Sequence, residues 1–254
     1  SKKRLYKGMS RVFLSTIIGG CIVVAAILML RGAATAAPPI EGNPISVGGS
    51  EAVALGSVGV IRDVTAVDLD VDGRADVVYG AANALMIQRN VGITSTEWAQ
   101  TVTVGYADDD IQDVQAVDLD RDGVMDLVSA SDSQISLWRN SGVPFAAAWT
   151  VSHTLTESAI SLTTIASGDL DRDGTPDVVA AGGNGVIYLW ANPLTGTQPF
   201  ATSWTLSATI PSPSTAIHQV ALLDVDRDGW LDVIEAGEAS GSGAVRLWRN
   251  PGDP

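Results

Sequence analysis

Four short segments of this chain carry aspartates at a spacing that favours binding of a metal ion. In each segment, aspartate occupies positions 1, 3, 5 and 9, and glycine occupies position 6. Carboxylates this close repel one another unless a cation lies among them, and Ca2+ accepts about six to eight oxygen ligands. The glycine permits the turn that brings the backbone carbonyl of position 7 toward the ion. The pattern therefore predicts four calcium-binding loops.

The predicted ligands occupy the same positions in every loop. The side-chain ligands are Asp68, Asp70, Asp72, Asp76, Asp118, Asp120, Asp122, Asp126, Asp169, Asp171, Asp173, Asp177, Asp224, Asp226, Asp228 and Asp232. The backbone carbonyl ligands are those of Arg74, Val124, Thr175 and Trp230. Ligation by oxygen alone fits Ca2+ better than zinc, which prefers His or Cys. We expect up to four Ca2+ ions and no other cofactor.

The elements that flank each loop distinguish it from an EF-hand, which begins with the same spacing. An EF-hand needs a bidentate Glu at position 12 and a helix on each side. Position 12 here is Tyr79, Ser129, Ala180 or Glu235. Short runs of Val, Leu and Ile follow position 9, which favours strands. The pattern therefore resembles the FG-GAP/VCBS repeat of integrin-alpha-like proteins, a β-propeller blade with a calcium loop between its first two strands.

The loops mark a longer repeat, since their first aspartates are 50, 51 and 55 residues apart. Each unit contains a strand before the loop, a strand after it and a third strand that ends at Asn90, Asn140, Asn192 or Asn250. Trp98, Trp149 and Trp204 stand 20 residues before the next loop and are expected to start a fourth strand. The repeat predicts an all-β, four-bladed propeller over residues 45–254, with the tryptophans packed between blades.

Closure of this ring depends on the residues before the first unit. Residues 45–58 stand where a fourth strand would precede unit one, while the chain ends after the third strand of unit four. The leading segment could therefore complete the last blade. An open half-ring that pairs with another subunit is the alternative.

The amino-terminal region has the composition of a membrane anchor. Val12 to Leu30 are 19 uncharged residues, enough for a transmembrane helix of about 28 Å. Basic residues precede it, which predicts a cytoplasmic amino terminus within residues 1–37 and a periplasmic or extracellular propeller at the inner membrane. Residues 38–44 read as a Pro-rich tether. A cleaved signal peptide ending near Ala36 is the competing interpretation.

Charge is distributed unevenly along the chain. From residue 41 onward, 9 arginines stand against 29 acidic residues, a net charge of −20. So acidic a surface would repel phosphates, which argues against nucleic acid as a partner. Repulsion within the loops predicts that folding and calcium binding are linked. A further acidic run, Asp108 to Asp110 with Asp113, is interpreted as a solvated loop, with a fifth metal site as the alternative.

The sequence offers no catalytic constellation. His153 and His218 are the only histidines, Cys21 lies in the apolar segment, and no nucleophile, base and acid stand at a plausible spacing. The resemblance implies adhesion or scaffolding. We expect a non-enzymatic module that contacts the lipid bilayer and other membrane-protein subunits, for example as an accessory subunit of a respiratory or photosynthetic assembly. Carbohydrate binding or hydrolysis at the cell surface is the alternative function.

Overall fold

The computed structural model describes residues 14–18, 21–25, 59–92, 98, 101–146, 149, 151–157, 161–193 and 199–252. The chain divides into two compact units, Ser1–Glu51 and Ala52–Pro254. The predicted tether at residues 38–44 and the predicted closing segment at residues 45–58 lie outside the described residues.

The first unit contains two short strands where the sequence predicts a transmembrane helix over residues 12–30. Strands β1 (Leu14–Ile18) and β2 (Cys21–Ala25) pair in antiparallel fashion, with Ile18 opposite Cys21. Both segments are rich in Ile and Val, whose branched Cβ atoms favour extended backbone over helix. The structure does not support the predicted helix over these ten residues, and no described helix is long and apolar enough to cross a bilayer.

The second unit consists of antiparallel sheets joined in chain order, and each sheet forms one blade. Blades one and two contain β3 (Ile61–Val67), β4 (Asp76–Ala81), β5 (Ala84–Gln88), β6 (Val102–Tyr106), β7 (Ile111–Val117), β8 (Asp126–Ser131), β9 (Ile135–Trp138) and β10 (Val151–Leu155). Blades three and four contain β11 (Leu162–Gly168), β12 (Asp177–Gly182), β13 (Val186–Ala191), β14 (Thr205–Pro211), β15 (Ala216–Leu223), β16 (Asp232–Ala239) and β17 (Ser242–Trp248).

The strand order confirms the predicted blade architecture. Within each blade the strands pair with their neighbours in sequence, so the first strand is innermost and the fourth is outermost. The fourth strand of blade three begins directly after Trp204, as the repeat predicts. Blade four has three strands within the described residues. The register also places each loop at one strand end, because Val67 pairs with Asp76 across the loop of blade one.

Apolar clusters between consecutive blades form the core of the second unit. Leu69 and Ile87 of blade one share a cluster with Val114, Trp138 and Trp149 of blade two. Equivalent residues form the clusters between blades two and three and between blades three and four. Trp149 and Trp204 are also buried and donate their indole N–H groups to the backbone. The predicted packing role of these tryptophans is therefore confirmed.

The inner strands show how the blades succeed one another. Strand β3 contacts β7, β7 contacts β11, and β11 contacts β15. Within the described residues, β15 and β3 make no contact of similar extent. Among the described residues, blade four is therefore not packed on blade one as it would be in a closed four-bladed ring. The open half-ring that pairs with another subunit stays the alternative.

Candidate metal centres

Each aspartate-rich loop connects the innermost strand of a blade to the second strand. The loop of blade one begins at Asp68, directly after β3, and its ninth residue, Asp76, is the first residue of β4. The same arrangement recurs in the other three blades. All four loops therefore have the same length, and each joins the first strand of its blade to the second.

The aspartate at position 1 closes the loop by accepting backbone N–H groups. In blade one, Asp68 accepts from the amide of Gly73 at 2.8 Å and from the amide of Asp72 at 3.0 Å. The bond to the glycine amide recurs in the other loops at 2.9 to 3.0 Å. These bonds explain the glycine, because Gly73 has a φ of 86°, in the left-handed region that side chains disfavour.

Position 4 adopts the left-handed conformation without being glycine. Its φ lies between 59° and 64° in all four loops, at Val71, Arg121, Arg172 and Arg227. Such backbone is uncommon for residues with a β-carbon, and for branched Val71 it is strained. The same left-handed backbone at Val and Arg alike shows that this conformation belongs to the loop and not to one residue type.

The aspartate at position 5 accepts from the amide of position 7. The bond from the Arg74 amide to Asp72 is 2.9 Å, and its equivalents start at Val124, Thr175 and Trp230. The four position-7 residues were predicted to supply carbonyl oxygens to the metal. Their amides have a structural role that the sequence did not indicate, and coordination by their carbonyls stays a prediction.

The aspartate at position 9 is the most deeply buried of the four aspartates in each loop. In blade two, Asp126 accepts from the amide of Leu119 at 3.0 Å and from the amide of Asn140 at 2.8 Å. The same two bonds form at Asp76, Asp177 and Asp232. Burial raises the pKa of Asp126 to about 7 and that of Asp177 to about 6. A bound dication would favour the charged form of these carboxyls.

The predicted ligands converge in sets of three, rather than four. Carboxylate oxygens within 4.8 Å of one another belong to Asp68, Asp70 and Asp76; Asp118, Asp120 and Asp122; Asp169, Asp171 and Asp177; and Asp224, Asp226 and Asp232. The remaining predicted carboxylates are Asp72, Asp126, Asp173 and Asp228. Hydrogen bonds from backbone amides do not distinguish these four from the converging residues, since Asp76 and Asp177 each accept two such bonds and still belong to their sets.

Some buried carboxylate oxygens in these sets of aspartates have no hydrogen-bond partner, which bears on whether the sets fit a metal ion. Oδ1 of Asp70, Oδ1 of Asp120 and Oδ1 of Asp169 are buried and accept no hydrogen bond. Buried acceptors are almost always satisfied in folded proteins, so these oxygens need a donor or a cation. Three carboxylates, free lone pairs and no His or Cys fit Ca2+. The residues present are therefore suited to calcium in the predicted loops.

Arginines that the sequence analysis missed stand beside three of the four sets. Arg139 Nη2 lies 2.7 Å from Oδ2 of Asp120, and Arg89 and Arg249 make equivalent ion pairs with Asp70 and Asp226. Each arginine directly precedes the asparagine that follows the third strand. The recurring Arg-Asn pair could therefore have identified these arginines from the sequence. Blade three has Ala191 at that position. Its carboxylates therefore lack this neighbouring charge.

The residues of the other acidic run, Asp108 to Asp110 with Asp113, contact different partners and do not converge. Asp110 pairs with Arg62, Asp109 accepts from the hydroxyl of Ser133, and Asp113 accepts from the amide of Ile165 at 2.8 Å. None of these residues belongs to a set of converging ligands within the described part of the chain. The interpretation as a fifth metal site therefore finds no geometric support there.

Comparisons with known proteins agree with this geometry. The family model of the FG-GAP-like repeat matches residues 68–129, 118–180 and 169–235, which together span more than half of the chain. The chain belongs to the FG-GAP-like repeat family. Each match begins at the first aspartate of one loop and extends past the next loop. The comparison with curated proteins gives no match.

Solved structures provide a further likeness. The chain is similar to one in a crystal structure of BBS1N in complex with ARL6DN, soaked with lead, at 14% sequence identity and a TM-score of 0.49. The match covers 78% of this chain and 59% of that chain. This FG-GAP-like chain therefore corresponds to less than two thirds of the length of that neighbour.

Proposed function

We propose that this FG-GAP-like chain is a non-enzymatic, calcium-stabilised module that binds other proteins outside the cytoplasm. The observation that carries the proposal is the repeated loop, in which three carboxylates converge and, in three of the four copies, buried carboxylate oxygens remain without a partner. Calcium in these loops would brace the strand ends of every blade. A rigid row of blades presents strand ends and connecting loops as a binding surface, and function in such folds resides in surfaces of this kind.

The proposal includes attachment to a membrane through the amino-terminal apolar segment. Its support is the uncharged run of 19 residues from Val12 to Leu30 and the basic residues before it. Attachment would place the module in a compartment rich in calcium and beside other membrane proteins. In this proposal the chain is an accessory subunit of a larger membrane complex, for which a respiratory or photosynthetic assembly is one candidate. Extraction of membranes at alkaline pH tests this part, because a soluble chain would be released.

Affinity purification of the full chain from gently solubilised membranes tests the binding function. The bait is purified once with calcium and once with a chelator, and retained proteins are identified by mass spectrometry. We expect a defined partner at a stoichiometric amount with calcium and its loss with the chelator. Recovery of the chain without any other protein under both conditions would contradict the proposed function.

A cavity between blades three and four favours glycan binding as a second candidate function. It has a volume of about 290 Å3 and is lined by Trp190, Trp248, Asp171 and Arg249 among other residues. Largely apolar clefts with a few polar groups are typical small-ligand sites, and indole rings provide apolar surface with specific geometry. A glycan array with the full chain and a Trp248→Ala variant tests this candidate. Binding that requires Trp248 and calcium would support it, and an array without signal would contradict it.

A further inference from the structure

The loop of blade three differs from the other three loops in the charge beside its carboxylates. In blades one, two and four, an arginine after the third strand forms an ion pair with the aspartate at position 3 of the same loop; these are Arg89, Arg139 and Arg249. Blade three has Ala191 instead. The aspartate at position 3 belongs to the converging set in every blade. The four loops therefore share one pattern of ligands and differ in whether a guanidinium already holds one of them.

The arginine of blade two shows how closely the guanidinium approaches the carboxylates. Arg139 Nη2 lies 2.7 Å from Oδ2 of Asp120 and 3.8 Å from Oδ2 of Asp122. Both aspartates belong to the converging set of the second loop, and the side chain of Asp120 is fully buried. Water and salt screen a buried carboxylate less than an exposed one, so this attraction is stronger than that of a surface pair. The guanidinium thus offsets the charge of one ligand when no metal is bound.

Aromatic rings of the next blade hold two of these arginines in place. The guanidinium carbon of Arg139 lies 5.9 Å from the ring centroid of Phe200, and that of Arg89 lies 5.6 Å from the ring centroid of Phe145. Such contacts attract the cation, and the planar guanidinium can stack on a ring while it pairs with a carboxylate. Arg249 has no such contact among the described residues, and its side chain is 62% exposed. Its effect on the fourth loop is therefore expected to be weaker.

The carboxylates of the third loop have no paired cation. Among the residues that the structure describes, Asp169, Asp171 and Asp177 form no ion pair. Oδ1 of Asp169 is buried and accepts no hydrogen bond. Arg121 of the second loop lies near the turn at Gly174 but pairs with none of these carboxylates. The mutual repulsion of the three converging carboxylates is therefore not offset by a basic side chain, and a bound dication would relieve it.

We propose that the paired arginines set the calcium affinity of the loops, so that the third loop binds Ca2+ most tightly and fills before the other three. This inference rests on the proposed function, in which the loops hold calcium. A group that stabilises the metal-free loop more than the metal-bound loop lowers the affinity for the metal. Each paired guanidinium acts in this way, because metal binding breaks its ion pair or places a dication beside its positive charge. We expect the third loop to bind about 10-fold more tightly than the others.

A graded response of the blades to calcium follows from this order of filling. The third loop is tied to blade four, because Asn250 donates from Nδ2 to the carbonyl oxygen of Leu170 at 2.9 Å. The first ion to bind therefore stabilises the junction between blades three and four. The loops of blades one and two carry the arginines that are both paired and stacked, so they fill at higher calcium concentrations. Blades three and four are thus braced at calcium levels at which the first two loops are still metal-free.

Isothermal titration of the full, metal-free chain with calcium chloride in mild detergent tests the inference. We expect one tight site and a class of weaker sites. Ala191→Arg restores the missing arginine, and the cavity of about 290 Å3 that Ala191 and Asp171 both line provides space for it. This variant should weaken the tight site about 10-fold. Ala191→Gln adds a long side chain without charge and is the matched control, which should keep the tight site.

Two further variants assign the tight site to the third loop. Asp171→Ala removes a ligand of that loop and should abolish the tight site while the weaker class remains. Arg139→Ala gives blade two the residue of blade three and should produce a second tight site. Because Arg139 is 44% exposed, its truncation leaves no cavity in the core, and this variant decides the question even if Ala191→Arg does not fold. Thermal melting at saturating calcium verifies that each variant is folded.

The possible outcomes separate this inference from the proposed function. Sites of equal affinity in the wild-type chain, or a tight site that persists in Asp171→Ala, would overturn the inference and leave calcium binding by the loops intact. An unchanged titration for Arg139→Ala would overturn it too. Equal weakening by Ala191→Gln and Ala191→Arg would show that bulk rather than charge controls the affinity, which also contradicts the inference. A wild-type chain that binds no calcium would overturn the proposed function together with the inference.

Discussion

Asn140 of blade two donates from Nδ2 to the carbonyl oxygen of Leu69 in the aspartate-rich loop of blade one, at a distance of 2.9 Å. The same nitrogen donates to the carbonyl of Met125, and the backbone amide of Asn140 donates to Asp126. One buried side chain therefore links the third strand of its blade, its own loop and the loop of the preceding blade. The geometry of the aspartate-rich loop in one blade is thereby connected to the packing of the next blade.

Asn140→Ala is expected to destabilise the fold by about 1 to 3 kcal/mol, because it leaves the carbonyl of Leu69 without its buried donor. Urea denaturation followed by circular dichroism measures the change. Asn90→Ala is the matched control, since Asn90 has the equivalent bond to its own loop but no preceding blade among the described residues. The control substitution should lower the free energy of unfolding by a smaller amount. Equal losses for the two variants would show that the bond between blades contributes nothing.

Removal of calcium should lower the melting temperature of the wild-type chain, because the converging carboxylates then repel one another. Asp226→Ala removes one ligand of the fourth set and should reduce the stabilisation that calcium provides. Differential scanning calorimetry with calcium and with a chelator measures both effects. Glu238→Ala, an exposed carboxylate outside the loops, is the control and should melt like the wild type. A melting temperature independent of calcium in every protein would refute calcium binding by the loops.

Arg139→Gln should destabilise the chain more with a chelator than with calcium. The guanidinium lies beside Asp120 and Asp122, so its loss leaves buried carboxylate charge without a cation when no metal is bound. We expect a loss of about 1 to 3 kcal/mol without metal and a smaller loss with it. Arg62→Gln is the control, since its ion pair with Asp110 is largely exposed and such pairs contribute about 0 to 1 kcal/mol. An equal loss with and without calcium would contradict this prediction.

Asp113 should make the stability of the chain depend on pH. Burial, and then the charge of Asp63, raise the pKa of Asp113 to about 8, whereas an unfolded aspartate titrates near 3.9. Because the folded state holds this proton more tightly, the contribution of Asp113 is fully present below about pH 4 and is lost as the pH rises toward about 8.

Asp113→Asn tests this dependence, because the amide oxygen can still accept from Ile165 while the titration disappears. Urea denaturation at several pH values with saturating calcium should show the variant gaining stability relative to the wild type between about pH 4 and 8. Asp63→Asn removes the neighbouring charge and should give a weaker effect of the same sign. Parallel pH profiles for Asp113→Asn and the wild type would exclude a raised pKa.

The blades could be predicted from the sequence because the pattern is local. Asp68 and Asp76 are close in sequence, and the strands on either side follow from the residues next to them. The sequence did not reveal that Asp76 is held by amides of Leu69 and Asn90, since that contact depends on the register of β4 and β5.

The structure of the amino-terminal segment could not be predicted from its sequence in this way. The apolar run from Val12 to Leu30 has the length of a membrane helix, but its Ile and Val content also suits strands, and hydrophobicity alone does not separate the two. Ring closure could not be predicted either, because it depends on whether β15 reaches β3. The repeat specifies only the contact between one blade and the next.

The ties made by Asp63, Asp113 and Asn140 all connect adjacent blades, so free energy is distributed along the row of blades as in a one-dimensional array. In such arrays the terminal units fray first, while the interior units open only together with a neighbour. Amide hydrogen exchange should therefore be slowest in β8 and β12 and fastest in β3 and β17. A gain or loss of whole blades at either end would preserve every remaining junction, which makes this architecture tolerant of changes in repeat number.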